Sequence, residues 1–205
     1  MATLAELRSR LRVLLNDNAA EGYLWSDAAL TLHLNDAIRD YGRSLPRQME
    51  LSITTVAGQG EYDLPVDCLV VTQIGVADTT GQCDWQSPLQ ENGAGYGVYG
   101  GRLILSPTPT EAGVPLRVRY LAPHAALVDE GDLSTVPAAD EELLLAFACA
   151  EALQGLSMEE AKRQRLDGQV GQAAKATAAL YRQQYERGIR SRAARVREGR
   201  LVATS

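Results

Sequence analysis

The first apolar residues recur at helical spacing. Leu4, Leu7, Leu11, Leu14 and Leu15 share one face, and Thr3 with Glu6 forms a capping box ahead of them, so the pattern predicts a helix from Leu4 to Asn16. A second stripe, Leu30, Leu34, Ala37, Ile38, Tyr41 and Leu45, follows Ser26, a good N-cap, and stops at Pro46. It predicts a helix over Asp27–Ser44, with Trp25 stapling its entry onto the core.

The period then changes from that of a helix to that of a strand. Leu51, Ile53, Thr55 and Ala57 alternate with polar or small residues, and Cys68–Val76, Val98–Ser106 and Leu116–Leu121 read as further strands. In the last, Leu116, Val118 and Tyr120 alternate with Arg117 and Arg119, which leaves one face wet. Pro107, Pro109 and Pro115 make the linker before it a stiff exposed loop. After Pro137 the helical period returns. Leu143, Leu144, Phe147, Ala148 and Leu153 predict a helix over Ala138–Gly155, its first turn carrying Asp140, Glu141 and Glu142 where the helix dipole favours acids. Ser157 with Glu160 reads as a second capping box, opening a helix that continues past Tyr185. Gly168 and Gly171 weaken it by roughly 1 kcal/mol each relative to Ala, which implies a bend or a close backbone approach.

The fold class expected is α+β: a bundle of N- and C-terminal helices, a small inserted antiparallel β domain and an extended C-terminal tail. The boundaries are 1–49, 50–122, 123–180 and 181–205. The longest apolar run, Leu143–Ala150, is far short of the roughly 20 residues of a membrane span. The opening residues carry no long apolar stretch, so no secretory signal is expected. Cys68, Cys83 and Cys149 are odd in number and far apart, which fits buried thiols in a reducing compartment.

The net charge of −6 hides an asymmetry. Residues 181–205 hold seven arginines against two glutamates, while residues 1–180 hold 13 basic and 24 acidic residues. An acidic body with a basic tail points to an anionic partner for the tail.

Enzymatic chemistry finds little support. Gly95, Gly97 and Gly100 match a dinucleotide-binding spacing, but a strand follows where a helix is required, so a loop or hairpin is the better reading. Tyr96 and Tyr99 make that loop a candidate interface. His33 and His124 have no evident partner, and His33 lies beside the apolar stripe of its helix. Asp129, Glu130 and Asp132 lack the spacing of a calcium loop and read as a solvated loop. No catalytic residue, cofactor or metal is expected.

The Arg-rich end is the strongest signal. On an ideal helix its arginines scatter round the axis, which suits a solvated extension or a segment wrapped on several sides by a partner. Few aromatics interleave them, unlike most single-strand nucleic-acid binders. Protein docking, a merely solvated tail and direct nucleic-acid contact all stay open.

Taken in order, several stretches resemble the head–tail adaptor (connector) proteins of tailed bacteriophages. They are the N-terminal Leu-rich helix, Trp25-Ser26-Asp27-Ala28, Leu34 to Asp40, Gly58 with Glu61 to Pro65 and Asp67, Gly101 to Pro109, Val118 with Tyr120, and the helix after Pro137. They span about 4–155, and the Arg-rich end lies outside them.

The resemblance implies a structural virion protein and not an enzyme. Such a protein forms a homo-oligomeric ring of about twelve copies beneath the portal protein. It extends the channel through which genomic DNA passes, and it docks a tail or nozzle protein. It sits at the head–tail interface, assembled in the host cytoplasm without a membrane. Arg187, Arg190, Arg192, Arg195, Arg197 and Arg200 become the expected portal-docking residues. A tail-completion or stopper protein of the same shape, and a nucleic-acid-binding accessory protein using the Arg-rich end, are the competing readings.

Overall fold

Leucine spacing in the sequence becomes the core of a four-helix unit. The computed structural model describes residues 1–17, 22–77, 83–86, 95–163 and 169–202. It falls into two compact units, one of Met1–Leu45 with His124–Ser205 and one of Pro46–Pro123.

In the helical unit, α1 (Leu4–Leu15) buries Leu4, Leu7 and Leu11. The Thr3–Glu6 capping box is present, and Asn16 closes the helix in the left-handed region at φ 53°. α2 (Asp27–Ser44) is capped by the Ser26 hydroxyl, which accepts from Ala29 N–H at 3.2 Å. It buries Leu30, Leu34, Ala37, Ile38 and Tyr41, and Trp25 packs on the same core. α3 (Glu141–Arg163), preceded by a 3-10 turn over Ala138–Asp140, is the central element and packs against the other three helices. α4 (Gln169–Val202) lies along α3.

Three expectations change here. α3 runs straight through Gly155 and Ser157, so Ser157 and Glu160 are helix interior and not a capping box. Gly155 faces solvent, and the packing of α3 on α4 outweighs its poor helix propensity. Gly168 lies outside the described residues, and a Cβ at Gly171 would meet nothing within 4 Å, so no backbone approaches it closely. The acidic loop is also more than solvated. Asp132 C=O accepts from Leu4 N–H at 3.0 Å and Glu130 C=O from Ala5 N–H at 3.2 Å, which satisfies two of the unpaired donors that open α1. The Asp132 carboxylate accepts from Val128 and Asp129 N–H at 2.7 and 2.8 Å, and these bonds hold its pKa below the usual range. Glu130 pairs with Arg8.

The β unit holds β1 (Arg47–Thr54), β2 (Glu61–Asp63), β3 (Val70–Ala77), β4 (Cys83–Gln86), β5 (Gly95–Tyr99), β6 (Arg102–Ser106) and β7 (Pro115–Ala122). All pairings are antiparallel, in one sheet of order β1-β7-β3-β4 and another of order β2-β6-β5. The two sheets share a core of Tyr62, Val71, Ile74, Tyr96, Leu103, Leu116, Val118 and Tyr120. The single strand expected over Val98–Ser106 is instead the end of β5, a turn and β6. Gly100 and Gly101, at φ 59° and 76°, supply the two positive φ values a tight hairpin needs. The glycine-rich motif is therefore hairpin and not a cofactor cradle. On the outer face, Arg117 and Arg119 reach Glu50 on β1 at 2.8 and 3.4 Å, and the Arg119 guanidinium stacks 3.6 Å over Trp85.

Candidate docking surface on the C-terminal helix

α4 carries the whole Arg-rich segment from Arg182 to Arg200, and one face of its described part is fastened to the bundle at nearly every turn. Arg182 stacks 4.4 Å over Phe147 and pairs with Glu151 of α3. Tyr185 is buried, edge-on to Phe147 at 5.0 Å, and its hydroxyl donates to Asp40 at 2.7 Å. Burial first, and this carboxylate second, push the phenol pKa upward. Gly188 sits directly over Leu143. Arg192 Nε lies 2.6 Å from Asp140 Oδ1, and its Nη2 donates to Ala139 C=O at 3.2 Å. The other Asp140 oxygen accepts from the Tyr41 hydroxyl at 2.7 Å.

The arginines expected to dock thus divide. Arg192 is spent inside the bundle, its charge set against the buried Asp140. Arg187 and Arg190 are exposed, and among the described residues Arg190 pairs only with Glu186 of its own helix, at 4.0 Å. An i,i+4 pair this exposed contributes little, so both charges stay available. The side chains of Arg195, Arg197 and Arg200 lie outside the described residues, on a helix that runs on to Val202. The two tyrosines of the glycine motif also separate. Tyr96 is 2% exposed and belongs to the β core, because inward and outward positions alternate along β5, while Tyr99 is 81% exposed at the hairpin end. Of the two, only Tyr99 has its side chain open to solvent.

The histidines are structural. His124 brings its ring nitrogens within 3.0 Å of Leu45 C=O and 3.1 Å of the Thr135 hydroxyl, and stacks edge-on to Tyr41. His33 is half-buried between α2 and α3, and burial lowers its pKa against the opposing pull of Glu151 and Asp36. Burial also pushes the Cys149 thiol up to about 12, leaving it inert. Among the described residues no group of His, Cys, Asp and Glu could hold a metal ion, and no helix is long and apolar enough to cross a membrane.

The sequence pattern missed three structural positions. Asp140 and Glu141 were expected as dipole-facing acids, yet both are buried. Glu141 accepts from Ala2 N–H at 2.6 Å and pairs with Arg10 at 2.8 Å. The third, Gly188, gave no signal because a helix glycine reads only as a weak propensity.

A helical unit is interrupted by a β unit and ends in a cationic helix, and the SU10 adaptor protein family model matches residues 2–204 of the chain. The chain belongs to that family. No curated protein matches it. As an SU10 adaptor protein it is a structural component of a phage virion, working in assembly with other virion proteins. The match includes the Arg-rich end, which the resemblance read from sequence had left out.

Proposed function

We propose that this adaptor is the subunit of a ring beneath the portal, extending the DNA channel and giving the tail its docking surface. The observation that carries the reading is the division of α4. Its inner face is clamped through Arg182, Tyr185, Gly188 and Arg192, while Arg187 and Arg190 are exposed and, among the described residues, have no ion-pair partner beyond their own helix. A cationic surface on a rigid element is a docking device for an acidic protein groove. Arg187 and Arg190, continued by Arg195, Arg197 and Arg200, are the residues that engage the portal. The acidic remainder of the chain suits a channel, since carboxylates facing a lumen repel phosphates and let DNA slide. Assembly takes place in the reducing host cytoplasm, which agrees with three unpaired cysteines.

Electron microscopy with the portal ring from the same source tests this. A truncation after residue 180 is a poor probe, because it strips Tyr185 and Arg192 from the bundle. A chain ending at Ala194, and an Arg187→Glu/Arg190→Glu variant, both keep the clamps. Full-length protein should decorate one end of the portal ring and both variants should fail. If neither decorates nor differs, while the full chain retards duplex DNA and the truncation does not, the nucleic-acid reading replaces this one.

A further inference from the structure

β1 is an edge strand, and among the described residues it pairs only with β7. The register against β7 is continuous from Arg47 to Thr54, with no bulge and no proline. Thr55 N–H donates to Val114 C=O at 3.0 Å, and Thr55 C=O accepts from Gly113 N–H at 2.8 Å. In an antiparallel ladder a residue's N–H and C=O point the same way, and the direction alternates along the strand. Met49, Leu51 and Ile53 therefore bond toward β7. Gln48, Glu50, Ser52 and Thr54 turn their main-chain groups to the open side, and all four are exposed. Met49, Leu51 and Ile53 are only half-covered on the core face.

Edges this long are normally guarded by an inward charge, a proline or a bulge. β1 has none of these. Its internal charge, Glu50, is drawn onto the sheet face by Arg117 and Arg119.

We propose that this edge pairs with the same edge of a second copy, antiparallel about a two-fold axis at Leu51. That register sets Glu50 opposite Ser52 and Gln48 opposite Thr54, so every outward-facing main chain meets another and each pair exchanges both hydrogen bonds. It sets Leu51 against Leu51 and Met49 against Ile53, which joins the half-covered apolar rows. The register two residues shorter would place Glu50 against Glu50, a like-charge contact that strand pairing disfavours. Hydrogen-bonding parity allows this register and its neighbours two residues away; charge disfavours the one centred on Glu50, and the one centred on Ser52 pairs only residues 50–54 of the strand.

The contact is isologous, whereas the subunits of a ring meet head to tail. The pair is therefore a state of the free protein that covers the edge and opens when the ring forms. The pairing goes beyond the ring reading, and only its opening depends on that reading. One pair of strand edges covers less than the roughly 1,200–2,000 Å² of a stable interface, so the pair is weak and reversible.

Sedimentation velocity of the full chain over roughly 1–200 µM spans the range in which such a contact titrates. Wild-type protein should pass from monomer to dimer. Ser52→Pro removes one outward N–H, a position where edge strands accept proline, and should weaken the dimer about tenfold or more with an unchanged melting curve. Leu51→Cys should oxidise to a covalent dimer, because the two Cβ atoms face each other at disulfide range, while Glu50→Cys and the wild-type cysteines should not. A wild-type chain monomeric throughout overturns the proposal. So does a folded Ser52→Pro chain that dimerises normally, or cross-linking at position 50 in place of 51. If Ser52→Pro fails to fold, the cysteine pair decides. Portal decoration by wild-type protein reports on the ring reading separately: a dimer that never decorates sinks the ring and leaves the pair standing.

Discussion

A Cβ at Gly188 would stand 2.3 Å from Leu143 Cδ2 and 3.1 Å from Cδ1, so α4 touches α3 there with nothing to spare. Gly188→Ala should destabilise the helical unit. Overpacking costs about 1–3 kcal/mol, the part-buried Leu143 methyls can give way to lessen it, and the better helix propensity of alanine returns about 1 kcal/mol, so the net loss is at most about 2 kcal/mol. Leu143→Ala removes the obstacle, so the double variant should be more stable than the sum of the singles by at least about 0.5 kcal/mol. Urea unfolding of the four proteins measures this, and simple additivity would refute the close contact.

The Asp140 carboxylate serves Tyr41 and Arg192 together. Asp140→Ala should cost about 2–4 kcal/mol, less than for a wholly buried pair because the Arg192 side chain is 34% exposed. Arg192→Ala leaves the same acid without its cation, so the double variant should lose clearly less than the two singles combined. Thermal unfolding with each variant checks it.

Gly155 lies on the exposed face of an uninterrupted helix, and a Cβ there would meet nothing within 4 Å. Gly155→Ala should raise stability by about 0.5–1 kcal/mol. A loss of stability would instead mean that a helix ends at Gly155, as the Ser157–Glu160 pattern had implied.

His33 has its pKa lowered in the folded state, chiefly by burial. The folded chain therefore binds this proton less readily than the unfolded chain, and the stability His33 lends is complete above its ordinary value of 6.5 and lost as pH falls below it. His33→Gln should flatten the decline in stability between about pH 7 and pH 5 relative to wild type. Denaturant midpoints across that range give the comparison, and parallel curves would exclude the effect.

The helices were legible because their stripes are long and periodic: the leucines of α1, and Leu30 to Tyr41 of α2, are the residues the core buries. The β unit was legible in kind but not in detail. β4 is four residues, too short for its alternation of Cys83 and Trp85 with Asp84 and Gln86 to stand out as a strand, and Gly100-Gly101 divides what looked like one strand. The Ser157–Glu160 motif misled because a local cap signal is overridden when the helix has a partner along its length. In the docking surface, composition showed that a cationic segment exists. It did not show that Arg182 and Arg192 are consumed by Glu151 and Asp140, since those acids come from positions 31 and 52 residues earlier in the chain. Tyr96 and Tyr99 could be told apart only by the parity of β5, which needs the strand's start.

The fastenings of α4 fall at Arg182, Tyr185, Gly188 and Arg192, about one per turn, and the helix then continues to Val202. At 1.5 Å per residue, the helix beyond Arg192 is about 15 Å long. For a receptor that engages Arg195, Arg197 and Arg200 it sets the stand-off from the bundle, as a ruler would. Inserting seven residues after Arg192 would lengthen the ruler by about 10 Å while keeping nearly the same face, whereas four would add about 6 Å and swing it about 40° round the axis.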